Sequence, residues 1–305
     1  MSNSNEAGAL PLTEDLQSSL PANLAGDKTS NGPDANNPTW GVGVAVLVWI
    51  ASLILVVFAP LVFLLPYAAS KGLKIADPNY VQALAEMALN DRTAVLLQVV
   101  SLLPSHLLTF ALIWAVVTRF GKYSFWKAIG WGWSGRFRFW TCCFLGVALF
   151  AVGTTLAWLL GSAKPTQLEQ IINSSLAARY AISILAVGTA PFVEEFLYRG
   201  VLYAPLQKLA GAPVAVFLVL GLFTIIHVPQ YWPNIGVIAA VALLSIALTI
   251  VRAYSGRLLP CVIIHLVFNG IQAVLLIAEP YANKIVPSSQ PVNPTFIIPF
   301  IHLIR

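Results

Sequence analysis

Residues 182–206 read ISILAVGTAPFVEEFLYRGVLYAPL. At ~1.5 Å per residue a helix of this length crosses the ~30 Å hydrocarbon core of a bilayer. Yet the stretch carries Glu194, Glu195 and Arg199. One charged group at a helix centre costs roughly 2.5–3.5 kcal/mol on insertion scales, so three in one span need an account. Glu195 and Arg199 stand at i and i+4, share a face and can pair. Glu194 is rotated about 100° away and cannot share that partner equally well. A packing salt bridge between helices explains the pair but leaves Glu194 over.

The rest of the chain has the same apolar character. Of 305 residues, 58% are hydrophobic and 10% charged, against about 25% charged in an average soluble domain. Mean hydropathy is +0.80. The fold class expected is all-α, a polytopic transmembrane helix bundle with seven or eight spanning helices. A soluble enzyme and a nucleic-acid-binding module are excluded. The 3 cysteines all lie in apolar runs; they make no disulfide scaffold and read as small buried hydrophobes. The net charge of +5 reports loops, with no nucleic-acid partner.

Residues 1–40 are polar and acidic and are expected to be a disordered tail, with neither the basic nor the apolar region of a signal peptide. A transmembrane domain, 41–305, follows. Its apolar runs fall at about 41–69, 93–118, 139–162, 180–206, 212–230, 235–251 and 257–278, with a short eighth at about 294–304. The loops on the N-terminal side hold eight bases: Arg119, Lys122, Lys127, Arg136, Arg138, Lys208, Arg252 and Arg257. The opposite loops hold six: Lys71, Lys74, Arg92, Lys164, Arg179 and Lys284. This bias puts the N-terminus in the cytoplasm. In the 119–140 loop, Phe125, Trp126, Trp131, Trp133, Phe137, Phe139 and Trp140 interleave with the bases. Such a surface favours anionic lipid, and is either an interfacial aromatic belt or a docking surface for a lipid-bearing substrate. Residues 78–90 can form a short amphipathic helix on the other side.

Two further spans carry polar groups. The run at 212–230 holds Phe223 and His227, and the run at 257–278 holds His265 and Asn269 at i and i+4, on one face. His106 and His302 lie elsewhere, in the second run and near the C-terminus. Counted along the helices, Glu194, His227 and His265 all come within several ångströms of the midplane, so one buried cluster is possible. There is no Ser–His–Asp pattern and no HExxH motif. The natural chemistry is hydrolysis by an activated water. Glu194 acts as general base, and burial suits it to take and give a proton near neutral pH. His227 holds the same water, and His265 and Asn269 donate to the oxyanion of a tetrahedral intermediate. Arg199 keeps Glu195 ionised. A rival uses the same atoms: Glu194, His227 and His265 as ligands of Zn²⁺ with an open position for water. No pair among them has the short helical spacing that pre-forms two ligands, so no metal cofactor is the favoured reading.

The motifs Glu-Glu-x-x-x-Arg at 194–199, Phe-x-x-x-His at 223–227 and His-x-x-x-Asn at 265–269, in this order on three membrane helices, resemble the CPBP/Abi family, which includes the type II CAAX prenyl endopeptidases. The resemblance covers about 180–278. It implies an all-helical, typically eight-helix fold and an intramembrane endopeptidase site. Glu194 matches the catalytic glutamate and His227 its water-binding partner. His265 and Asn269 match the oxyanion-side pair, and Glu195 and Arg199 the remainder of the first motif; Phe223 is the supporting aromatic. The family has been described both as metalloproteases and as glutamate proteases. The implied substrate is a membrane-associated peptide or protein, prenylated in some members, and the implied location is the plasma (inner) membrane of a prokaryote. The alternative is a non-enzymatic scaffold, immunity or transport protein that uses the Glu/Arg/His cluster structurally.

Overall fold

In the computed structural model, residues 34–285 are described. Among them are twelve α-helices and one π-helical turn, in the order α1 (Val42–Ser70), α2 (Tyr80–Asn90), α3 (Arg92–Val100), α4 (Leu102–Thr118), α5 (Phe125–Ala128), α6 (Phe139–Leu160), α7 (Gln167–Ser174), α8 (Leu176–Gly188), α9 (Ala190–Glu195), the π turn (Phe196–Leu202), α10 (Tyr203–Tyr231), α11 (Ile235–Ser255) and α12 (Leu259–Ile285). The protein is a polytopic helical membrane bundle.

Six helical stretches among the described residues are long and apolar enough to cross a membrane. One of them, Leu176–Tyr231, has 56 residues. At ~1.5 Å per residue this is far more than one ~30 Å crossing needs, so the stretch has to turn. It does so at Gly211, whose φ of 83° and ψ of 164° are not helical. A positive φ of this size strains any residue with a Cβ. The fourth and fifth apolar runs of the sequence correspond to the limbs on either side of this glycine. The run at 294–304 lies outside the described residues.

The core has two parts. One joins α1, α4, the π turn, α10 and the start of α12 around Phe196, Tyr198 and Phe223. The other joins α6, α11 and α12 around Leu149, Leu248 and Phe268. Helix α11 packs against α6 and α10, and α12 against α6 and α8. Small residues permit this closeness, as membrane helix packing requires. At Gly236 an added Cβ would come within 2.6 Å of the Ala157 Cα.

Polar caps fix the ends. Asp91 caps α3 by accepting from the N–H groups of Thr93 and Ala94 at 2.8 and 2.9 Å. The Tyr67 hydroxyl at the end of α1 donates to the same carboxylate at 3.0 Å. The Ala94 N–H, with help from Tyr67 and Thr93, holds the Asp91 carboxyl below the usual carboxylate range. This support is present at neutral pH and is lost only as pH falls through that lowered pKa. On the same side Thr166 and Glu169 form a capping box at the start of α7. There too Arg179 pairs with Glu279 at 2.6 Å, tying α8 to α12.

Two surface expectations are refined. The amphipathic segment is α2, none of whose residues is buried. The aromatic loop is split: Phe125 and Trp131 turn inward and pack edge-on against Phe196, while Trp133, Phe139 and Trp140 remain exposed. Of the stretch read as a tail, residues 1–33 lie outside the described residues. Residues 34–40 fold onto the helix ends on their own side, with Trp40 buried and its Nε1 donating to the Val201 carbonyl at 3.0 Å. The folded part therefore begins before residue 41.

Replacing Gly236 with leucine forces α6 and α11 apart. Overpacking of this kind costs about 1–3 kcal/mol. Thermal unfolding in detergent should show a lower Tm for Gly236→Leu, with Gly43→Leu, where an added Cβ meets nothing within 4 Å, close to wild type.

Candidate active site

The three polar motifs meet at the inner end of one cavity of about 630 Å³. Glu194 and Glu195 are the last two residues of α9, and Arg199 lies within the π turn that follows. π-helical insertions concentrate at functional sites because they re-aim side chains and free carbonyls. Here the Tyr203 N–H donates to the Tyr198 carbonyl. The Arg199 carbonyl is thereby released from its usual α-helical partner.

Arg199 and Glu195 are both fully buried and pair at 3.0 Å through Nη1 and Oε1. The guanidinium is otherwise met by α11. Its Nη2 donates to the Ser245 carbonyl and hydroxyl, both at 2.9 Å, and its Nε to the Thr249 hydroxyl at 3.2 Å. Its flat face lies over the Phe223 ring, 4.8 Å from the centroid. A buried cation with a carboxylate, three neutral acceptors and a π face is well compensated.

Phe223 is thus the floor of the ion pair, and it also orients His227. The two rings stack with centroids 4.5 Å apart, and His227 Nδ1 lies 2.6 Å from the Phe223 carbonyl. A carbonyl can only accept, so Nδ1 carries the proton and Nε2 is left for another partner.

His265 is buried on α12 and bridges the two carboxylates. Its Nδ1 donates to Glu195 Oε1 at 2.8 Å, and its Nε2 stands 3.8 Å from Glu194 Oε2. Glu194 is the member of the pair that retains access to the cavity, with its side chain 24% exposed. Asn269, one turn beyond His265, also lines the cavity; one of its Nδ2 hydrogens goes to the Ala186 carbonyl of α8 at 2.9 Å. Its second N–H is uncommitted by that bond.

Of the seven residues singled out in the sequence, Glu194, Phe223, His227, His265 and Asn269 line one cavity, and Glu195 and Arg199 form the buried ion pair behind it. Several others were missed. Ser245 and Thr249 hold Arg199 from α11, where they look like ordinary small residues. Their i, i+4 spacing was the available signal. His106 of α4 lines the same cavity as Glu194, His227 and His265, with its Nδ1 2.7 Å from the Thr189 hydroxyl. The sequence reading set it apart because it belongs to no motif, though any intramembrane histidine is a functional candidate. Among the described residues, no three His, Cys, Asp or Glu side chains converge closely enough to hold a metal ion.

Residues 176–271 match the family model described as type II CAAX prenyl endopeptidase Rce1-like. This stretch is an Rce1-like domain. The likeness is of the CPBP/Abi type and supports, in general terms, a membrane-embedded protease of the CAAX kind. The match covers 96 of the 305 residues and takes in every motif position from Glu194 to Asn269. No curated protein and no solved structure matches the chain.

Removing one member of the buried pair exposes the other to an uncompensated environment, at a cost of about 3–5 kcal/mol. Arg199→Met should therefore unfold at lower denaturant concentration than wild type in micelles. The double variant Arg199→Met/Glu195→Leu should recover part of the loss, because no buried charge is then left alone. Equal loss in the single and double variants would mean that packing, and not charge compensation, sets the cost.

Proposed function

We propose that the protein is an intramembrane endopeptidase of glutamate type, which hydrolyses a peptide bond in a membrane-associated or lipid-modified substrate. The observation that carries this is the pairing of roles between the two adjacent glutamates. Glu195 Oε1 is held by both Arg199 and His265, whereas Glu194 faces the cavity with its Oε2 3.8 Å from His265 Nε2.

In this reading Glu194 takes a proton from water, which His227 Nε2 holds by accepting its second hydrogen. The water oxygen bonds to the scissile carbonyl carbon, and the carbonyl π pair moves to oxygen. The oxyanion is met by the free N–H of Asn269 and by Nε2–H of His265. His265 is held in place for this by the bond from its Nδ1 to Glu195 Oε1. When the tetrahedral intermediate collapses, the C–N bond breaks and Glu194 returns its proton to the departing amine.

Two features support a lipid-bearing or strongly apolar substrate. The cavity is large, and away from Glu194 its walls include many apolar positions of α1, α4 and α8, such as Val56, Leu102 and Leu185, beside a few polar ones. A zinc mechanism would need Glu194, His227 and His265 on one ion. Among the described residues these do not form a convergent ligand set; the two committed Nδ1 atoms leave both Nε2 atoms open and do not bear on the choice. No step is therefore routed through a metal.

The test compares new peptide ends, by mass spectrometry, in membranes of cells making wild type or Glu194→Gln at matched expression. Ends seen only with wild type are expected, and they should persist in the presence of a zinc chelator. Identical end profiles would sink the protease reading. Loss of the ends on chelation, with recovery on adding Zn²⁺, would replace the glutamate mechanism by a metal one.

A further inference from the structure

The guanidinium of Arg252, on α11, is buried to 1% exposure. Its hydrogen bonds go to three neutral oxygens and to no carboxylate. Its Nε donates to the Arg199 carbonyl at 3.2 Å. Its Nη1 donates to Asn36 Oδ1 at 3.3 Å, and its Nη2 to the Ala35 carbonyl. The Tyr203 ring lies beneath it, 5.5 Å from centroid to Cζ. Two of the three acceptors of a buried cation therefore come from a segment more than two hundred residues away in sequence.

That segment is built to stay. Asp34 folds it into a tight turn by accepting from the N–H groups of Asn36 and Asn37 at 2.8 and 2.9 Å. Lys208 donates to Asn37 Oδ1 at 2.8 Å, and Arg119 to the Thr39 carbonyl at 3.0 Å. The surface beneath is shaped for it: a Cβ at Gly130, whose φ is +74°, would overlap the Ala35 side chain.

The contacts run without a gap from this segment to the site. Asn36 and Ala35 hold Arg252, and Arg252 holds the Arg199 carbonyl that the π turn has released. Arg199 holds Glu195 Oε1, and the same oxygen accepts from His265 Nδ1. Nothing in this line except its last member faces the cavity.

We infer that Arg252 is a positioning residue for His265, and that the segment Asp34–Asn37 is the strap that keeps it in place. The strap and Arg252 set the height of the π turn, and through Glu195 they set where the His265 imidazole points. Undoing the strap leaves a buried cation with one acceptor, which must move to find others. That movement passes to the Arg199 carbonyl and on to the carboxylate. A displacement on the order of 1 Å at a reacting group can cost about a hundredfold in rate. The kinetic part of this inference rests on the proteolytic reading above, while the structural part does not.

The experiment uses the full chain, labelled with ¹⁵N-histidine, in nanodiscs. The His265 signal is assigned by its disappearance in His265→Gln. Three variants are compared with wild type: Asn36→Ala, replacement of residues 34–37 by Gly-Ser-Gly-Ser, and Arg252→Met. Each is first shown to be helical and monodisperse; Asn36→Ala, the mildest, keeps the test decisive if the others fail to fold. The expected result is a shifted His265 Nδ1 resonance with the His106 signal in place. Glu194-dependent cleavage should lose about tenfold or more in kcat with KM unchanged within about twofold. Arg252→Lys should recover part of the loss of Arg252→Met. An unmoved His265 resonance in folded variants overturns the coupling, as does a rate loss that lies in KM alone. A shifted resonance in a protein that cleaves nothing upholds the positioning role and removes the proteolytic reading instead.

Discussion

A guanidinium and a carboxylate that water cannot reach have to be compensated by protein atoms, and this requirement organises the centre of the molecule. Arg199 needs five N–H groups satisfied in an apolar layer. The ion pair with Glu195 satisfies one direction, and α11 supplies most of the rest through Ser245 and Thr249. Phe223 of α10 closes the open face. Three separate helical limbs are thus drawn to one cation. Glu195 then has a fixed ionised oxygen, and His265 from a fourth limb hydrogen-bonds to it. The charged pair that looked costly in a membrane span is the point at which four elements are registered against one another. Glu194, the neighbour excluded from this arrangement by the helix rotation, is the one left facing the cavity.

The helical, membrane-spanning character was legible because it depends on composition and run length, which need no knowledge of packing. The first seven apolar runs coincide with helices, and only the join between the fourth and fifth differs, where one continuous helical assignment hides a turn at Gly211. The i, i+4 pairing of Glu195 with Arg199 was also legible, since helix geometry alone places them together. What could not be read was anything decided by contacts between distant segments. The π turn shifts the register just where the motif lies, and no spacing rule announces it. Ser245 and Thr249 gain their meaning only from the guanidinium they meet. Residues 34–40 have the composition of a tail, and they are ordered because Arg252, Lys208 and Arg119 offer donors to their carbonyl and carboxamide oxygens. Phe125 and Trp131 were grouped with an interfacial belt because aromatic residues beside bases suit headgroups. Phe196 offers them a better-packed place inside.

The division between matched and unmatched parts of the chain has a physical counterpart. The Rce1-like stretch, 176–271, carries the polar end of the cavity: the glutamates, both site imidazoles and the carboxamide. Much of the remaining wall belongs to residues before 176, including Ser52 and Val56 of α1, Gln98 of α3, and Leu102 and His106 of α4. Hydrolysis of a peptide bond makes the same demands whatever the substrate, so the polar end can be constant. Which chain fits depends on the shape and polarity of the opposite wall, where a methylene more or less is worth only about 1–3 kcal/mol but an unmet polar group excludes far more strongly. His106 stands where these two parts meet, hydrogen-bonded to Thr189 at the α8–α9 junction and facing the cavity. A polar group at that seam links the wall before residue 176 to the backbone that carries Glu194 five residues on. The cavity is therefore a joint product of helices outside the matched stretch and helices within it, and His106 ties the one group to the other.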